Sequence, residues 1–376
     1  MTSNSEIPTH PSAPLDWPEL TTSLIQGRDL SAEQAWSAMD AVMRGDVQDI
    51  ALAGFLVALR AKGESVDELK GLADAMVSHA RPLDVPGPAV DIVGTGGDRL
   101  RSVNISTMSA LVAAGAGARV VKHGNRASSS KSGSADCLEA LGVQLDMPVS
   151  MVESCAREVG ITFCFAQTFH PSMRFAAGAR KALGVATVFN FLGPISNPAL
   201  VEASAIGVAD RALAPVMAGV FRDRGHRALV FRGGDGLDEL TITESSEVWE
   251  VRDGEITEHV LEPQDFGMPR GTVEDLRGQD AEYNAAVARR ILSGESGHVR
   301  NTVLLNAASA LMALDEAPVG SFQERMAAAI ERLDAPAAPV QDAAGPVTAA
   351  LYQLPYGPAA SRILLDRLAV IAGAGA

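Results

Sequence analysis

A set of residues able to bind an anion begins at position 91, where the chain reads Asp-Ile-Val-Gly-Thr-Gly-Gly-Asp. A predicted strand runs here into a glycine turn, and glycines let backbone N–H groups approach a bound phosphate closely. Residues 104–107, Asn-Ile-Ser-Thr, then place amide and hydroxyl groups at the predicted start of a helix. This pattern predicts a phosphate-binding turn. A tight turn without a ligand and simple helix capping are the alternatives.

The turn matches neither common nucleotide motif. A dinucleotide-binding fingerprint would need glycine at position 99, where this chain has Arg99. A Walker A motif would need Gly-Lys-Ser or Gly-Lys-Thr, which does not follow the turn. The segment therefore resembles a phosphate-binding loop without belonging to either nucleotide class.

A second group of candidate ligands occupies residues 122–134, Lys-His-Gly-Asn-Arg-Ala-Ser-Ser-Ser-Lys-Ser-Gly-Ser. It contains three cations, one imidazole and five hydroxyl groups, and it directly follows an apolar predicted strand. Open α/β sheets bind ligands at the carboxyl ends of their strands. Because cations and hydroxyls suit phosphate and ribose, the segment is predicted to bind a sugar phosphate. A flexible polar loop is the alternative.

Arginines after residue 170 include a candidate ligand for a carboxylate. The segment from His170 to Arg174 continues to Arg180 and Lys181. On a helix that starts near Pro171, Arg174 and Arg180 lie on different faces, so Arg180 can point into a site. Its planar guanidinium suits bidentate binding of a carboxylate. Solvated helix charges are the alternative.

An adjacent acid pair, Asp238 and Glu239, follows a predicted strand and the glycine turn 233–236. Carboxylate oxygens at this position suit Mg²⁺ carried in on a diphosphate. Adjacent acids also occur at 67–68, 274–275 and 315–316, so only its position distinguishes this pair. The sequence predicts Mg²⁺ as a cofactor, with a solvated turn as the alternative.

No residue pattern indicates a covalent nucleophile or a general base. The chain has no Gly-x-Ser-x-Gly segment and no sequence pattern that pairs a cysteine with a histidine as nucleophile and base. His123 and His170 are the two histidines within the candidate segments. Binding and electrostatic stabilisation are therefore the roles predicted for these residues.

The elements that must position these groups begin with helices. Capping boxes at 31–34 and 65–68 mark two helix starts, and Asp46 is a candidate cap between them. Gly45 and Gly63 fall at predicted helix ends. Helices joined by such short loops pack antiparallel, so a small helical domain is predicted.

Beyond residue 85, predicted strands alternate with predicted helices, which is typical of parallel strands joined by right-handed crossovers. The predicted strands are 90–93, 119–121, 143–145, 161–165, 203–208 and 228–231, with a hairpin at 248–251 and 255–260. The predicted fold class is α/β, with a small N-terminal α-helical domain and a larger α/β domain whose central sheet is mostly parallel and flanked by helices. The predicted boundaries are a disordered tail at 1–15, a helical domain at 16–84 to which 187–200 is a candidate addition, and the α/β domain at 85–376.

The charge of the chain is unevenly distributed. Its 376 residues contain 31 Lys+Arg and 46 Asp+Glu, a net charge of -15, and 47% of them are hydrophobic. This acidity argues against nucleic acid or an anionic membrane surface as the main partner. However, no acid lies between Asp98 and Asp136, where six Lys/Arg occur, or between Glu158 and Glu202, where three occur. The candidate binding segments are thus a cationic part of an acidic chain.

Cysteine use and apolar runs predict a cytoplasmic protein. The three cysteines have no Cys-x-x-Cys spacing, which favours a reducing compartment. Residues 1–15 do not resemble a secretory signal, and no apolar run has a membrane-spanning composition.

Taken in order, the four segments resemble the anthranilate phosphoribosyltransferases, which share their fold with pyrimidine nucleoside phosphorylases. The resemblance extends from about residue 17 to the C-terminus and is densest between 91 and 198. It implies transfer of a phosphoribosyl group from 5-phosphoribosyl 1-diphosphate (PRPP) to the amine of anthranilate, giving N-(5-phosphoribosyl)anthranilate and diphosphate in tryptophan biosynthesis. It also implies a homodimer formed through the helical domain. Two residues depart from the usual family pattern: Arg99 replaces a glycine, and Ser102 replaces a threonine.

The resemblance implies roles for individual residues at matching positions. Lys122, His123 and Arg180 would act by electrostatics and positioning. Anthranilate would contact Gly94, Asn125, His170 and Arg180. Mg²⁺ would be held by Ser106, Asp238 and Glu239. The residues implied to bind PRPP are Gly94, Gly97, Asp98, Ser102, Asn104, Ile105, Ser106, Thr107, Lys122, His123, Gly124, Asn125, Arg126, Ala127, Ser128, Ser129, Ser130 and Ser134.

Two other functions are compatible with parts of the pattern. A pyrimidine nucleoside phosphorylase would share the Lys-His-Gly-Asn-Arg segment but would use inorganic phosphate and would not need the acid pair with Mg²⁺. A non-enzymatic paralogue could keep the fold and bind nucleic acid or a regulatory partner. The acidic composition and the intact segment 122–134 argue against the paralogue.

Overall fold

The computed structural model describes residues 15–127 and 131–334. Its α-helices are α1 (Trp17–Ile25), α2 (Ala32–Arg44), α3 (Asp49–Lys62), α4 (Val66–Ser78), α5 (Ile105–Gly115), α6 (Ser134–Ala140), α7 (Val149–Glu158), α8 (Ala166–Phe169), α9 (Ala177–Leu183), α10 (Leu213–Asp223), α11 (Ala281–Leu292), α12 (His298–Leu314) and α13 (Phe322–Asp334). Its strands are β1 (Val90–Gly94), β2 (Val120–Gly124), β3 (Ile161–Phe165), β4 (Ala203–Gly207), β5 (Arg227–Gly233), β6 (Ser246–Arg252) and β7 (Glu255–Leu261). Short 3₁₀ helices lie at Pro171–Ala176, Val188–Asn190, Gly193–Ile195, Pro263–Phe266 and Val273–Leu276.

The chain forms two compact units. The helical unit contains the residues up to Pro82 and the segment Ala166–Pro198, and the α/β unit contains the rest. The segment that joins the helical unit thus begins at Ala166, whereas the sequence suggested an addition at 187–200. His170 and Arg180 accordingly belong to the helical unit.

Capping boxes start two helices of the helical unit. The Ser31 hydroxyl accepts the N–H of Gln34 at 3.2 Å, and the Gln34 side chain accepts the N–H of Ser31 at 3.0 Å. Ser65 and Glu68 form the same pair of bonds at the start of α4. Both boxes satisfy N–H groups that have no partner within the helix. These two helix starts follow the sequence pattern.

Asp46 does not cap a helix, contrary to the prediction. Helix α3 begins at Asp49, and its N-cap residue is Gln48 without a side-chain bond. The Asp46 carboxylate instead accepts a hydrogen bond from Arg44 Nε at 2.7 Å. An ion pair two residues away therefore takes the oxygen that a cap would have used.

The α/β unit is built on one seven-stranded sheet with the order β3-β2-β1-β4-β5-β6-β7. The first five strands of that order are parallel, and β6 and β7 extend the sheet as an antiparallel hairpin. Strands β1 and β4 are neighbours at its centre although more than 100 residues separate them in sequence. Helices α5 and α12 pack against each other, and α12 packs on β4 and β5. The predicted fold class is confirmed.

The strand predicted at 143–145 is not formed. Helix α6 ends at Ala140, and the N–H of Val143 donates to Leu138 O at 2.9 Å across Gly142, which has a φ of 97°. This is the hydrogen bond of a Schellman helix end. Val143 and Leu145 are buried in the core, so their apolar pattern reflects packing of a helix end and the loop after it.

Two predictions concern residues outside the described ranges, and one concerns membrane-spanning segments. The predicted tail falls outside them except for residue 15, as do the predicted ligands at 128–130. Among the helices that the structure describes, none combines the length and the apolar composition needed to cross a membrane.

Candidate active site

The glycine turn after β1 packs directly against the acid pair. A Cβ atom on Gly94 would lie 2.1 Å from Asp238 Oδ2. A Cβ atom on Gly207, at the end of β4, would lie 1.6 Å from the Asp238 carbonyl oxygen. Only glycine permits such an approach. The two segments, which are far apart in sequence, therefore meet at the carboxyl ends of the two central strands.

Backbone N–H groups hold both acidic side chains. The N–H of Gly96 donates to Asp238 Oδ2 at 2.6 Å, and the N–H of Ser106 donates to Glu239 Oε1 at 3.0 Å. Ser106 lies in the first turn of α5, where the helix dipole stabilises negative charge. Asp238 and Glu239 are only 9% and 7% exposed. The pair is therefore a fixed part of the sheet edge and not a solvated turn.

Burial and mutual repulsion raise the pKa values of the acids in this cluster. Burial is the main cause that raises the pKa of Asp238 to about 7, and the charge of Asp98 contributes. Burial also raises the pKa of Glu239 well above its ordinary value, with Asp238 as the next cause. The pKa of Asp98 is raised as well, again mainly by burial. A cluster of acids with raised pKa values is typical of functional sites.

Lys122 lies beside the first turn of α5 and not in solvent. Its Nζ donates to Ile92 O at 2.5 Å and to Ser106 Oγ at 3.2 Å, and the residue is 3% exposed. Burial lowers the pKa of Lys122, and the nearby Asp91 opposes that shift. The N–H of His123 donates to Asp91 Oδ1 at 3.0 Å. Both residues of this predicted motif are thus fixed by β1.

The described residues on either side of the gap at 128–130 bind one carboxylate. Asp136 Oδ2 accepts the N–H groups of Ala127 and Gly133, each at 2.9 Å. Arg126 forms ion pairs with Asp136 at 2.9 Å and with Glu139 at 2.8 Å. The charge of Arg126 is therefore balanced within the chain, and its role as a PRPP ligand stays a prediction.

The start of α6 approaches the end of β2 closely. A Cβ atom on Gly124 would lie 2.3 Å from Ser134 Oγ. The Ser134 hydroxyl donates to Asn125 O at 3.3 Å, and the N–H of Ala135 donates to the same oxygen at 3.2 Å. Asn125 and Ser134, both predicted ligands, are thus adjacent.

The turn that follows β1 contains strained backbone. Arg99 and Arg101 have φ values of 63° and 57°. The left-handed region costs a non-glycine residue about 1–2 kcal/mol. This is the conformation that the family's usual glycine at 99 would adopt freely. Ser102 then forms an antiparallel bridge with Arg277, which ties the end of the turn to the C-terminal part of the unit.

The predicted ligands Gly97, Ile105 and Thr107 differ in which of their groups a bound molecule can reach. Gly97 is exposed and has a φ of 86°, so its backbone is open to a ligand. Ile105 and Thr107 are each 1% exposed, and their side chains lie in the core. These two residues can therefore contact a ligand only through their backbone groups at the start of α5.

Two buried asparagines contact the site and were missed from the sequence. Asn284 on α11 donates to Asn104 Oδ1 at 2.8 Å, and Asn306 on α12 binds the backbone of Leu240. Each lies next to a short apolar run of its helix, residues 285–288 after Asn284 and residues 303–305 before Asn306. That pattern was the available signal, because a buried amide needs hydrogen-bond partners.

His170 and Arg180 are both held within the helical unit. His170 is 2% exposed, and its Nε2 lies 3.0 Å from Ser196 O, so this nitrogen carries a proton. The Arg180 guanidinium lies 5.2 Å from the centre of the Phe189 ring, and burial lowers its pKa. In the part of the chain that is described, Arg180 forms no ion pair with a carboxylate. Arg174 is exposed and lies over Phe175, which agrees with the prediction that the two arginines face different ways.

The acid cluster fits a divalent cation that arrives with its own ligands. Within residues 15–127 and 131–334, no three His, Cys, Asp or Glu side chains form a complete metal shell. Asp238 and Glu239 nevertheless place buried carboxyl oxygens at the backbone of Gly96 and Ser106, and burial with repulsion between the acids raises the pKa of both. Mg²⁺ takes few protein ligands and keeps phosphate oxygens and water, which this donor set would allow.

Family models match both parts of the chain, although the segment Ala166–Pro198, which belongs to the helical unit in the structure, falls within the α/β match. Residues 18–80 match the helical bundle domain of a glycosyl transferase family, and residues 86–338 match the α/β domain of that family. Fold and site thus define a glycosyl transferase of this two-domain type.

Individual relatives narrow the family. An anthranilate phosphoribosyltransferase of Arthrobacter sp. (strain FB24) is 59% identical over 318 residues, covering 85% of this chain and 90% of the relative. The crystal structure of anthranilate phosphoribosyltransferase from Thermus thermophilus is 40% identical with a TM-score of 0.81, covering 94% of this chain and 99% of that one. The same enzyme from Saccharomyces cerevisiae, in complex with PRPP and Mg, is 25% identical with a TM-score of 0.79, covering 95% and 98%. The chain belongs to the anthranilate phosphoribosyltransferase family, which confirms the resemblance.

Proposed function

We propose that the protein transfers the 5-phosphoribosyl group of PRPP to the amine of anthranilate, releasing diphosphate. One observation carries the proposal: the buried acids Asp238 and Glu239 are held by the N–H groups of Gly96 and Ser106 at the centre of the sheet edge. Neither acid forms an ion pair within the described residues, and a Mg²⁺–diphosphate substrate would supply the missing partner. A nucleoside phosphorylase using inorganic phosphate has no comparable need for this pair.

Departure of diphosphate from C1 of the ribose determines what the site must do. Negative charge grows on the leaving group. The N–H groups of Gly96 and Ser106 already bind the two acids, so the exposed backbone of Gly97 is the part of the glycine turn proposed to stabilise that charge. Mg²⁺, held by Asp238, Glu239 and the Ser106 hydroxyl, would neutralise charge on the diphosphate. The Lys122 side chain, bonded to Ser106 Oγ, lies beside the proposed metal position.

Anthranilate needs positioning more than activation. Its aromatic amine is a weak base and is neutral at pH 7, so no general base is required, and orientation is the main contribution. Arg180 is the proposed partner of its carboxylate, because the guanidinium has no carboxylate partner within the described residues and can bind bidentately. His170, Asn125 and Gly94 are the other proposed contacts.

A homodimer through the helical unit is supported by one exposed helix face. Ile50, Gly54, Val57 and Ala61 recur at helical spacing along α3 and are all exposed, with Ile50 at 80% and Val57 at 44%. Apolar and small residues on one helix face are typical of helix packing against a partner.

The three free thiols, all buried, fit a reducing cytosol.

The test is product formation by the purified protein. PRPP, anthranilate and Mg²⁺ should give fluorescent phosphoribosylanthranilate, and chelation of Mg²⁺ should stop it. Absence of this product together with phosphorolysis of thymidine or uridine would overturn the proposal in favour of a nucleoside phosphorylase.

The carboxylate partner has its own test. Arg180→Ala should raise the anthranilate KM about tenfold or more while leaving the PRPP KM nearly unchanged, since a charged hydrogen-bond pair is lost. Arg174→Ala, an exposed arginine on the same segment, is the matched control and should change neither constant. Equal changes in both KM values for Arg180→Ala would remove its assigned role.

A further inference from the structure

Two asparagines from the C-terminal helices contact the two loops of the candidate site. We propose that Asn284 and Asn306 are positioning residues for phosphoribosyl transfer, each for one half of the site. Asn284 holds Asn104 at the start of α5, in the predicted phosphate-binding segment. Asn306 holds the backbone next to Asp238 and Glu239, the proposed Mg²⁺ ligands. This inference rests on the proposed function.

Asn284 acts on the turn through a buried hydrogen-bond chain. The residue is 2% exposed, its Nδ2 donates to Asn104 Oδ1 at 2.8 Å, and its Oδ1 accepts the N–H of Gln279 at 2.9 Å. A Cβ atom on Gly278 would lie 2.8 Å from Asn284 Oδ1 and 2.6 Å from Ser102 O. Glycine at 278 therefore allows this segment to lie against the end of the turn.

Asn104 is the point where three segments meet. Its Oδ1 accepts Asn284 Nδ2 at 2.8 Å and the Ser132 hydroxyl at 3.2 Å, and its Nδ2 donates to Ser132 O at 3.3 Å. Ser132 belongs to the second candidate segment, and Asn104 is the N-cap residue of α5. Without Asn284, the Asn104 amide loses the shorter of the two bonds to its oxygen and keeps only its contacts with Ser132.

Asn306 holds the acid loop through two of its three hydrogen bonds. Its Oδ1 accepts the N–H of Leu240 at 2.9 Å, and its Nδ2 donates to Leu240 O and Thr302 O, each at 2.8 Å. Leu240 directly follows Glu239, and Asn306 is fully buried. Both backbone polar groups of the residue next to the acid pair are thus bound by one side chain.

The requirement for asparagine at both positions is physical. An amide supplies a donor and an acceptor at once, and an apolar replacement leaves buried partners unsatisfied. Each asparagine touches one loop only. A positioning role therefore predicts that the two variants damage different steps, whereas a purely structural role predicts the same loss of folded protein in both.

For Asn284, the decisive measurement is a double-mutant cycle with Asn104. Asn284→Ala should raise the PRPP KM about tenfold while the anthranilate KM and the Mg²⁺ concentration for half-maximal rate stay within about twofold. In the Asn104→Ala background, Asn284→Ala should have little further effect on the PRPP KM. Independent, multiplying effects of the two substitutions would overturn the role assigned to Asn284.

For Asn306, the readout is metal binding rather than rate. Calorimetric titration of Mg²⁺ into protein saturated with inorganic diphosphate should show about 10- to 100-fold weaker binding for Asn306→Ala, as is typical when support of a metal ligand is lost. If this variant does not fold, Asn306→Ser, which keeps one hydrogen-bonding atom, replaces it. Unchanged Mg²⁺ binding in a folded variant would overturn the role of Asn306.

A control separates these effects from loss of stability. Ser309 lies on the same helix as Asn306 and is equally buried. The substitution Ser309→Ala removes only a bond to the Asn306 carbonyl within the helix. It should lower the melting temperature without changing KM or Mg²⁺ binding. If the wild-type protein forms no phosphoribosylanthranilate, the proposed function fails. If it forms product and both asparagine variants change all constants equally, only this inference fails.

Discussion

Two buried acidic sites in the α/β unit differ in how their charge is compensated. Glu250 on β6 is 6% exposed, and Arg325 binds it with both guanidinium nitrogens at 2.6 and 2.7 Å. His259 Nε2 lies 3.1 Å from Glu250 Oε2, one of the two oxygens that Arg325 binds. Although burial favours the neutral acid, these partners bring the pKa of Glu250 below its ordinary value.

Asp238 and Glu239 are buried to a similar degree, but their pKa values move in the opposite direction. Lys122 lies near them and its charge opposes the rise in the pKa of Glu239, but it donates to Ser106 and Ile92 and forms no ion pair with either acid in the described residues. The contrast shows that burial alone does not make a functional acid. An acid that the fold leaves without a cation partner is one that a ligand can complete.

The largest effect should come from neutralising the uncompensated pair. Asp238→Asn combined with Glu239→Gln should lower kcat/KM by about 100-fold or more, because charge on the leaving diphosphate is no longer stabilised. Steady-state assays over a range of Mg²⁺ concentrations measure the loss. The exposed adjacent pair provides the control, as Asp315→Asn with Glu316→Gln should leave the rate unchanged. A double variant with normal Mg²⁺ dependence would contradict the comparison.

The compensated acid should behave in the opposite way. Glu250→Gln should destabilise the fold by about 3 kcal/mol at pH 7, since it leaves the partly buried Arg325 without its partner. PRPP and anthranilate KM values should stay the same. Because the folded pKa of Glu250 is lowered, its contribution is present above the unfolded pKa and is lost as pH falls through the folded pKa. Urea unfolding at pH 7 and at pH 3 measures both effects.

Neutralising Asp238 alone should stabilise the metal-free protein. Its folded pKa of about 7 exceeds the ordinary value of 3.8, so the folded state binds more protons and loses stability as pH rises between these values. Above about pH 7 the cost is complete. Asp238→Asn should therefore raise the unfolding free energy by on the order of 2 kcal/mol at pH 8, and by less at pH 5. A gain that is equal at both pH values would show that ionisation is not its cause.

The smallest effect concerns backbone strain in the same region. Arg99→Gly removes a left-handed non-glycine residue, and it should stabilise the fold by up to about 1 kcal/mol after the extra chain entropy of glycine is subtracted. Thermal unfolding of this variant is compared with Arg119→Gly, a position whose φ is not positive. Destabilisation by Arg99→Gly would mean that the arginine side chain holds the turn.

Local sequence patterns predicted the elements that depend on neighbouring residues. The capping boxes at Ser31 and Ser65 formed because each needs only a residue three positions away. The glycine turn at 94–97 lies after a parallel strand, as its pattern indicates. By contrast, Val143 and Leu145 alternate like a strand but close a helix end, because a short apolar pattern does not specify which backbone partners are available.

Contacts between distant segments could not be predicted in the same way. The two asparagines contact residues that lie 180 and 66 positions away, and nothing in the local pattern names those partners. The resemblance implied Arg126 as a PRPP ligand, yet Asp136 and Glu139 on α6 pair with it and balance its charge. The two-part helical unit likewise depends on packing between segments separated by the first part of the sheet.

The central claim is that Asp238 and Glu239 lack a cation that Mg²⁺ with diphosphate supplies. Calorimetric titration of Mg²⁺ into protein saturated with diphosphate, in two buffers of different ionisation enthalpy, measures protons released on binding. We expect the wild-type protein to release protons beyond those released by Mg²⁺ and diphosphate alone, more at pH 6 than at pH 8, and the Asp238→Asn, Glu239→Gln variant to release none beyond that background. Equal affinity and equal proton release in both proteins would contradict the account.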